Sequence, residues 1–302
     1  MRPRGISLFM LSLIAFFATP TFAEAQTLGS MMCSVAFNIE PFQSLMAGIA
    51  YIAGGIIIGS GLLHLVKHYD NQRDTPLHRP IAQIVAGAAL LALPAFMRLS
   101  INTLFSFDSG GGNRTCIPIV GGGGIGLDGL MLNLVDNIKS PMIFMLSVMS
   151  IIIGIFLVFR GLVKASKYGT DPRTHSVTHI LSSIIIGTIL YTVGTSLDFI
   201  MGTVFGDQNI GGPGAIMATI AFNFGPNTGH FQEAVYAALT FFQLIGFIAF
   251  IRGWLILKDA AEGHGQKTVA QGLTHILGGV LAINIYRFLE VMDQTFGTGF
   301  IL

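Results

Sequence analysis

Long apolar runs alternate along the chain with short, polar and mostly basic turns. Six runs stand out, at roughly 42–66, 79–105, 142–163, 177–202, 231–256 and 268–290. Each holds about 20 or more mostly apolar residues, enough for a helix rising about 1.5 Å per residue to cross a hydrocarbon core roughly 30 Å thick. Helix is the predicted state, because lipid offers no partner to an open backbone N–H or C=O. The runs pair across the basic turns, and the pairs repeat. Pro41 and Pro141, Gly61 and Gly161, Lys67 and Lys167, Arg73 and Arg173, and Gly87 and Gly187 recur at a constant offset of 100. A third copy follows: Arg160-Gly161 is echoed by Arg252-Gly253, and Thr178-His179-Ile180-Leu181 by Thr274-His275-Ile276-Leu277. A fixed period predicts the architecture. It is an all-α polytopic membrane protein whose six transmembrane helices form three repeated hairpins, in units 26–105, 106–202 and 203–302.

Shorter stretches precede some runs. Leu127, Leu130, Met131, Leu134 and Ile138 follow helical spacing, with Asp128, Asn133, Asp136 and Asn137 opposite. Leu28, Met31, Met32, Val35 and Ile39 do the same before Pro41, and Ile216, Met217, Ile220 and Phe224 are a third instance. Such a stripe predicts a helix lying in the membrane interface or docking a partner helix.

Composition agrees with lipid as the main solvent. Hydrophobic residues make up 52% of the chain and charged residues 10%, against about 25% charged in a soluble domain. A net charge of +1 supplies no basic field for direct nucleic-acid binding. Residues 1–25 read as a cleaved signal peptide: Arg2 and Arg4, an apolar stretch from Leu8 to Phe17 too short to span, then Ala23-Glu24-Ala25. Of the fourteen basic residues beyond it, ten lie at the hairpin turns: Lys67, Arg73, Arg79, Arg160, Lys164, Lys167, Arg173, Arg252, Lys258 and Lys267. The positive-inside rule then puts the turns in the cytoplasm and both mature termini in the periplasm of a bacterial inner membrane. Lys164, Lys167, Arg173, Arg252, Lys258 and Lys267 are read here as topology signals. Cys33 and Cys116, the two cysteines, both fall on the exported side and are expected to form a disulfide; two unpaired thiols are the alternative.

Little in the chain points to catalysis. Gly121-x-Gly123-x-x-Gly126 matches a dinucleotide fingerprint on paper, but no βαβ unit surrounds it and no Lys-Ser/Thr pair follows. The glycine-rich connections at 106–126 and 203–229 leave no room for a soluble catalytic domain, and no cofactor is expected. His64 with His68, and His175 with His179, have the i, i+4 spacing of a metal half-site, yet no carboxylate or cysteine joins them at ligand spacing. Interfacial histidines are the expected reading, with no metal. Carriers usually place ionisable groups at the bilayer midplane, whereas the span centres here offer little beyond Gln243 and Asn284. Small residues are plentiful instead. Gly55-x-x-x-Gly59, Ser183-x-x-x-Gly187, Gly87 and Gly278-Gly279 predict close helix packing.

The first turn carries a resemblance. Lys67-His68-Tyr69-Asp70-Asn71, then Pro76, Arg79-Pro80-Ile81-Ala82, Ala88-Ala89-Leu90 and Leu93-Pro94 resemble the small two-span IcmD/DotP proteins of type IVB (Dot/Icm) secretion systems. Gly253 to Gly279 is similar to the related IcmC/DotE proteins and their counterparts in IncI-type conjugation. The middle copy lacks the Asp-Asn pair and the Leu-Pro end. The resemblance implies a non-enzymatic inner-membrane structural or assembly subunit of a secretion or conjugal DNA-transfer apparatus, with other inner-membrane subunits as partners and the energy supplied by separate ATPases. A pilin-like subunit of a type IV system is a second reading, and a small-solute or metal transporter a third from another class. Lys67, His68, Asp70, Asn71, Arg73 and Asp74 are then the expected partner-docking hairpin.

Overall fold

The computed structural model describes residues 27–39, 41–70, 76–97, 127–168, 176–205, 229–263 and 266–297. Among them the chain is all-helical. Helix α1 (Leu28–Ile39) leads to α2 (Pro41–Asp70) and α3 (His78–Leu91). Then come α4 (Leu127–Tyr168), α5 (Val177–Tyr191), α6 (Val193–Phe205), α7 (Gly229–Ala261), α8 (Val269–Ile283) and α9 (Ile285–Phe296). Among the described residues, three helical stretches are long and apolar enough to cross a membrane: Leu28–Asp70, Asn133–Tyr168 and Ala237–Ala261. Counting each bent pair described below as one span raises this to five. Large apolar side chains such as Ile52, Ile56, Leu63, Phe242 and Ile245 stand more than half exposed. So many exposed large apolar side chains are unusual on a water-soluble surface, and with the long apolar helices they suggest a membrane-embedded protein.

Three helix pairs, α2 with α3, α4 with α5 and α7 with α8, pack along their lengths. Each closes on the same contact. A Cβ on Gly54 would lie 2.7 Å from the Gly87 carbonyl oxygen, one on Gly154 2.6 Å from that of Gly187, and one on Gly246 2.9 Å from that of Gly279. A turn or two further along, Gly61, Gly161 and Gly253 face the Cγ1 atoms of Ile84, Ile184 and Ile276. Lipid tails are as apolar as leucine, so helices gain in the membrane mainly by close approach, and only glycine permits backbones this near. Gly87, Gly187 and Gly279 therefore pack as expected. Gly55, Gly59 and Gly278 do not: an added Cβ there would meet nothing within 4 Å. A small-residue spacing marks a face without saying which way it points, and the packing face of α2 runs through Gly54 and Gly61 instead.

The second arm of each pair breaks at one register. Ala92, Thr192 and Asn284 leave helical geometry, with φ/ψ of −98/29, −112/49 and −104/40. Each donates its N–H to the carbonyl four residues back, and its own carbonyl accepts from four residues ahead, so the chain resumes helically at once. The direction changes by 90° between α5 and α6 and by 89° between α8 and α9. The predicted continuous helices at 177–202 and 268–290 are thus each two helices. In the first copy Pro94 supplies a cause, since it has no N–H for the Leu90 carbonyl. In the second, the Ser150 hydroxyl donates to the Leu190 carbonyl at 2.8 Å and the Ser196 hydroxyl to those of Val193 and Ile189. Hydroxyls repair the broken ladder where no water reaches. Fifteen residues of α5 or α8 rise only about 22 Å, so either helix alone is too short to cross and needs the helix beyond its break.

Helix α4 is the centre of the bundle. It touches α1, α2 and α3 on one side and α5 and α7 on the other. One core joins Met46, Leu90, Met97, Ile151, Ile155, Val158 and Leu162 across the first and second pairs. A second joins Leu157, Leu190, Leu197, Met201, Phe247, Phe250 and Val280 across the second and third. The predicted amphipathic stretch at 127–138 is not a separate element; it runs straight on through Pro141 as the start of the 42-residue α4. The one at Leu28–Ile39 is helical, with Phe37 against Phe144 at 5.3 Å.

A candidate functional site: the ion cluster joining two hairpins

Helix α7 ends in a turn that carries most of the buried charge described in the molecule. Gly263 adopts φ 68, a left-handed turn position suited to glycine. Thr268 then caps α8 by accepting from the Gln271 N–H at 3.2 Å. Before the turn, Lys258 and Glu262 stand four residues apart on the face of α7 turned to α4. Lys258 Nζ lies 3.1 Å from Glu262 Oε2. From α4, Lys164 Nζ donates to Glu262 Oε1 at 2.9 Å, and from α5 the Ser183 hydroxyl donates to the same oxygen at 2.8 Å. The side chains of Glu262 and Lys258 are 2% and 6% exposed and that of Lys164 15%, so Lys164 alone reaches toward water. Asp259, beside them, lies 3.6 Å from Lys258 and accepts from Lys267.

Burial by itself would raise the Glu262 pKa. The hydrogen bonds from Lys164, Ser183 and Lys258, together with the Lys258 charge, outweigh it and hold the carboxyl at about 2 against the usual 4.5. An acid of that strength, ringed by donors, is poorly matched to general acid–base work near neutrality. It is well suited to fixing position: removing either sign leaves the other buried and uncompensated. The cluster therefore acts as a clamp between the second and third hairpins.

No family model, characterised protein or solved structure matches the chain. The site must be weighed on its own geometry.

The structure distributes the expected site residues unevenly. Lys67 and Asp70 are exposed at the end of α2 and His68 is half-buried there; Asn71, Arg73 and Asp74 lie outside the described residues. Lys164 and Lys258, expected only to orient the chain, are the cations of the clamp, Lys258 buried and Lys164 partly so. Lys167 is exposed on the last turn of α4, Lys267 pairs with Asp259, Arg252 is exposed on α7, and Arg173 lies outside the described residues. Cys33 is buried and disulfide-bonded; Cys116, the other cysteine of the chain, lies outside the described residues. Among the described residues, no group of three His, Cys, Asp or Glu side chains could hold a metal ion. His64 and His275 each turn Nδ1 back onto a carbonyl of their own helix, at 2.7 and 2.8 Å.

Three residues of the cluster carry no expectation from sequence as charge partners: Glu262, Ser183 and Asp259. The Lys258-x-x-x-Glu262 spacing is visible, but its decisive partner Lys164 is 98 residues away. Near the span centres, Gln243 Oε1 and Asn284 Nδ2 are buried without a hydrogen-bond partner.

Proposed function

We propose that the chain is a non-enzymatic inner-membrane subunit of a type IVB-like secretion or conjugal transfer apparatus. In this reading it crosses the bilayer six times as three hairpins after a cleaved signal peptide, with cytoplasmic turns and periplasmic mature termini. A disulfide from Cys33 to Cys116 ties the exported side. The observation that supports this best is where the polar side chains are spent. Ser150, Ser196 through the Ile189 carbonyl, and the Lys164–Glu262–Lys258 cluster hold helices to one another, as in an assembly subunit. The resemblance of the first turn to IcmD/DotP proteins supplies the apparatus.

Affinity purification in mild detergent, with identification of the captured proteins, tests the assignment. Secretion or coupling ATPases and other inner-membrane subunits among them are the expected result; recovery of the chain alone would sink it. Reporter fusions test the topology separately. Fusions at Asp70, Thr170 and Gly263 should give cytoplasmic signals, and those at Gly111 and Pro213 exported ones. One inverted reporter overturns the three-hairpin arrangement.

A further inference from the structure

A pocket of about 370 Å³ opens beside the clamp. Arg252, Leu255, Ile256, Lys258 and Asp259 of α7, Lys267 and Gln271 beyond the turn, and Leu157 of α4 line it. Its lining holds three cations to one carboxylate, and that carboxylate is already taken by Lys267 and Lys258. Arg252 is left over: it is exposed and has no hydrogen bond or ion pair among the described residues. It also lies nine residues inside the end of α7, about 13 Å along the axis. With α7 in a bilayer and its turn at the headgroups, this depth sets the guanidinium near the boundary with hydrocarbon, where an unpaired charge is costly. Leu157, Leu255 and Ile256 make the adjoining wall apolar.

We propose that this pocket binds the phosphate-bearing headgroup of an anionic phospholipid, with Arg252 as the principal phosphate ligand and Lys267 and Gln271 at its rim. A guanidinium meets a phosphate with two parallel hydrogen bonds. The apolar wall lies where the glycerol and first methylenes of such a lipid would run. Basic pockets between membrane helices are general sites for acidic headgroups. The same charge and shape would accept a free phosphate, so the source has to be separated by experiment. The inference needs only that these helices sit in a bilayer, and is independent of the secretion role.

The test uses the full chain in detergent, with retained lipid measured by native mass spectrometry against added phosphatidylglycerol, cardiolipin and phosphatidylcholine. The control is Arg160→Gln, which removes an exposed arginine at the equivalent position of α4. The wild type should retain the two acidic lipids and not phosphatidylcholine. Arg252→Gln should weaken that retention about tenfold or more, Arg252→Lys should weaken it less, and Arg160→Gln should leave it near wild type. Equal losses from Arg252→Gln and Arg160→Gln would reduce the effect to bulk charge and overturn the site. Displacement of the lipid by millimolar inorganic phosphate as effectively as by phosphatidylglycerol would overturn the lipid as its occupant.

Discussion

The two junctions between neighbouring hairpins share a register and differ in chemistry. Where the second hairpin meets the third, Lys164, Ser183, Lys258 and Glu262 close a buried ion cluster over an apolar core. Where the first meets the second, the residues equivalent to Lys164 and Ser183 are His64 and Gln83. His64 bonds to the Ser60 carbonyl of its own helix, and Gln83 Oε1 is buried without a partner. That junction is held by packing, through Leu90, Met97, Ile151, Ile155 and Val158. The first hairpin is also the barest: 17% of its most apolar window is buried, against 56% and 50% for the windows of α4 and α7. Two junctions between similar helix pairs thus differ, one clamped and one plain. A charge cluster resists rearrangement because a half-broken cluster is so unfavourable. A packed apolar seam in lipid has lipid itself as a ready substitute.

The strongest way to break this contrast is Glu262→Gln. It strands Lys164 and Lys258 and should lower stability in detergent by about 3–5 kcal/mol, read as a fall in the thermal unfolding midpoint. The same residue predicts an acid limb. The folded pKa of Glu262, about 2, lies below its usual 4.5. Its contribution is therefore complete above pH 4.5 and is lost as the pH falls toward 2. The wild type should loosen across that window and Glu262→Gln should show a flatter slope; parallel acid limbs would mean the cluster is not what titrates.

Gly154→Ala comes next. The new Cβ would sit 2.5 Å from the Tyr191 nitrogen and 2.6 Å from the Gly187 oxygen, both backbone atoms that cannot swing aside. A cost of about 2 kcal/mol is expected. Gly55→Ala faces open space and should be neutral or gain up to about 1 kcal/mol from helix propensity. If both variants behave alike, the paired-glycine contact is not what closes the hairpins. Ser150→Ala, which strips the Leu190 carbonyl of its donor, should cost about 1 kcal/mol by the same melting assay. The smallest effect on stability belongs to the first hairpin. Asp70 is exposed, and Asp70→Asn should change the midpoint by no more than about 0.5 kcal/mol. If that variant inserts and accumulates normally yet loses transfer, the plain hairpin is the docking surface. Normal transfer would return it to the role of an anchor.

The apolar helices and the glycine contacts at Gly87, Gly187 and Gly279 could be read from the chain, because long apolar runs and small residues mark helices that pack closely. The breaks could not. Ala92, Thr192 and Asn284 sit inside long, mostly apolar runs, and Pro94 flags one of the three. Gly55-x-x-x-Gly59 misled for the reason that spacing defines a stripe without its azimuth, and the neighbouring Gly54 and Gly61 took the contact. Glu262 was invisible as a site because a single carboxylate among basic residues looks like surface until a distant helix supplies its donors.

The paired-glycine contact also bears on how the molecule is made. Gly54 and Gly87, Gly154 and Gly187, and Gly246 and Gly279 are each 33 residues apart in the chain, whereas Lys164 and Glu262 are separated by 98. Closing the longer loop costs only about 1 kcal/mol more in chain entropy, but its second half must first be synthesised. Each hairpin can zip as soon as its second arm leaves the ribosome, using contacts wholly its own. The ion cluster cannot form until the third turn has emerged. Assembly is therefore expected to run in two stages, early local closure followed by late docking. Nascent chains arrested before residue 230 should already crosslink position 154 to 187 while Lys164 remains accessible to amine reagents.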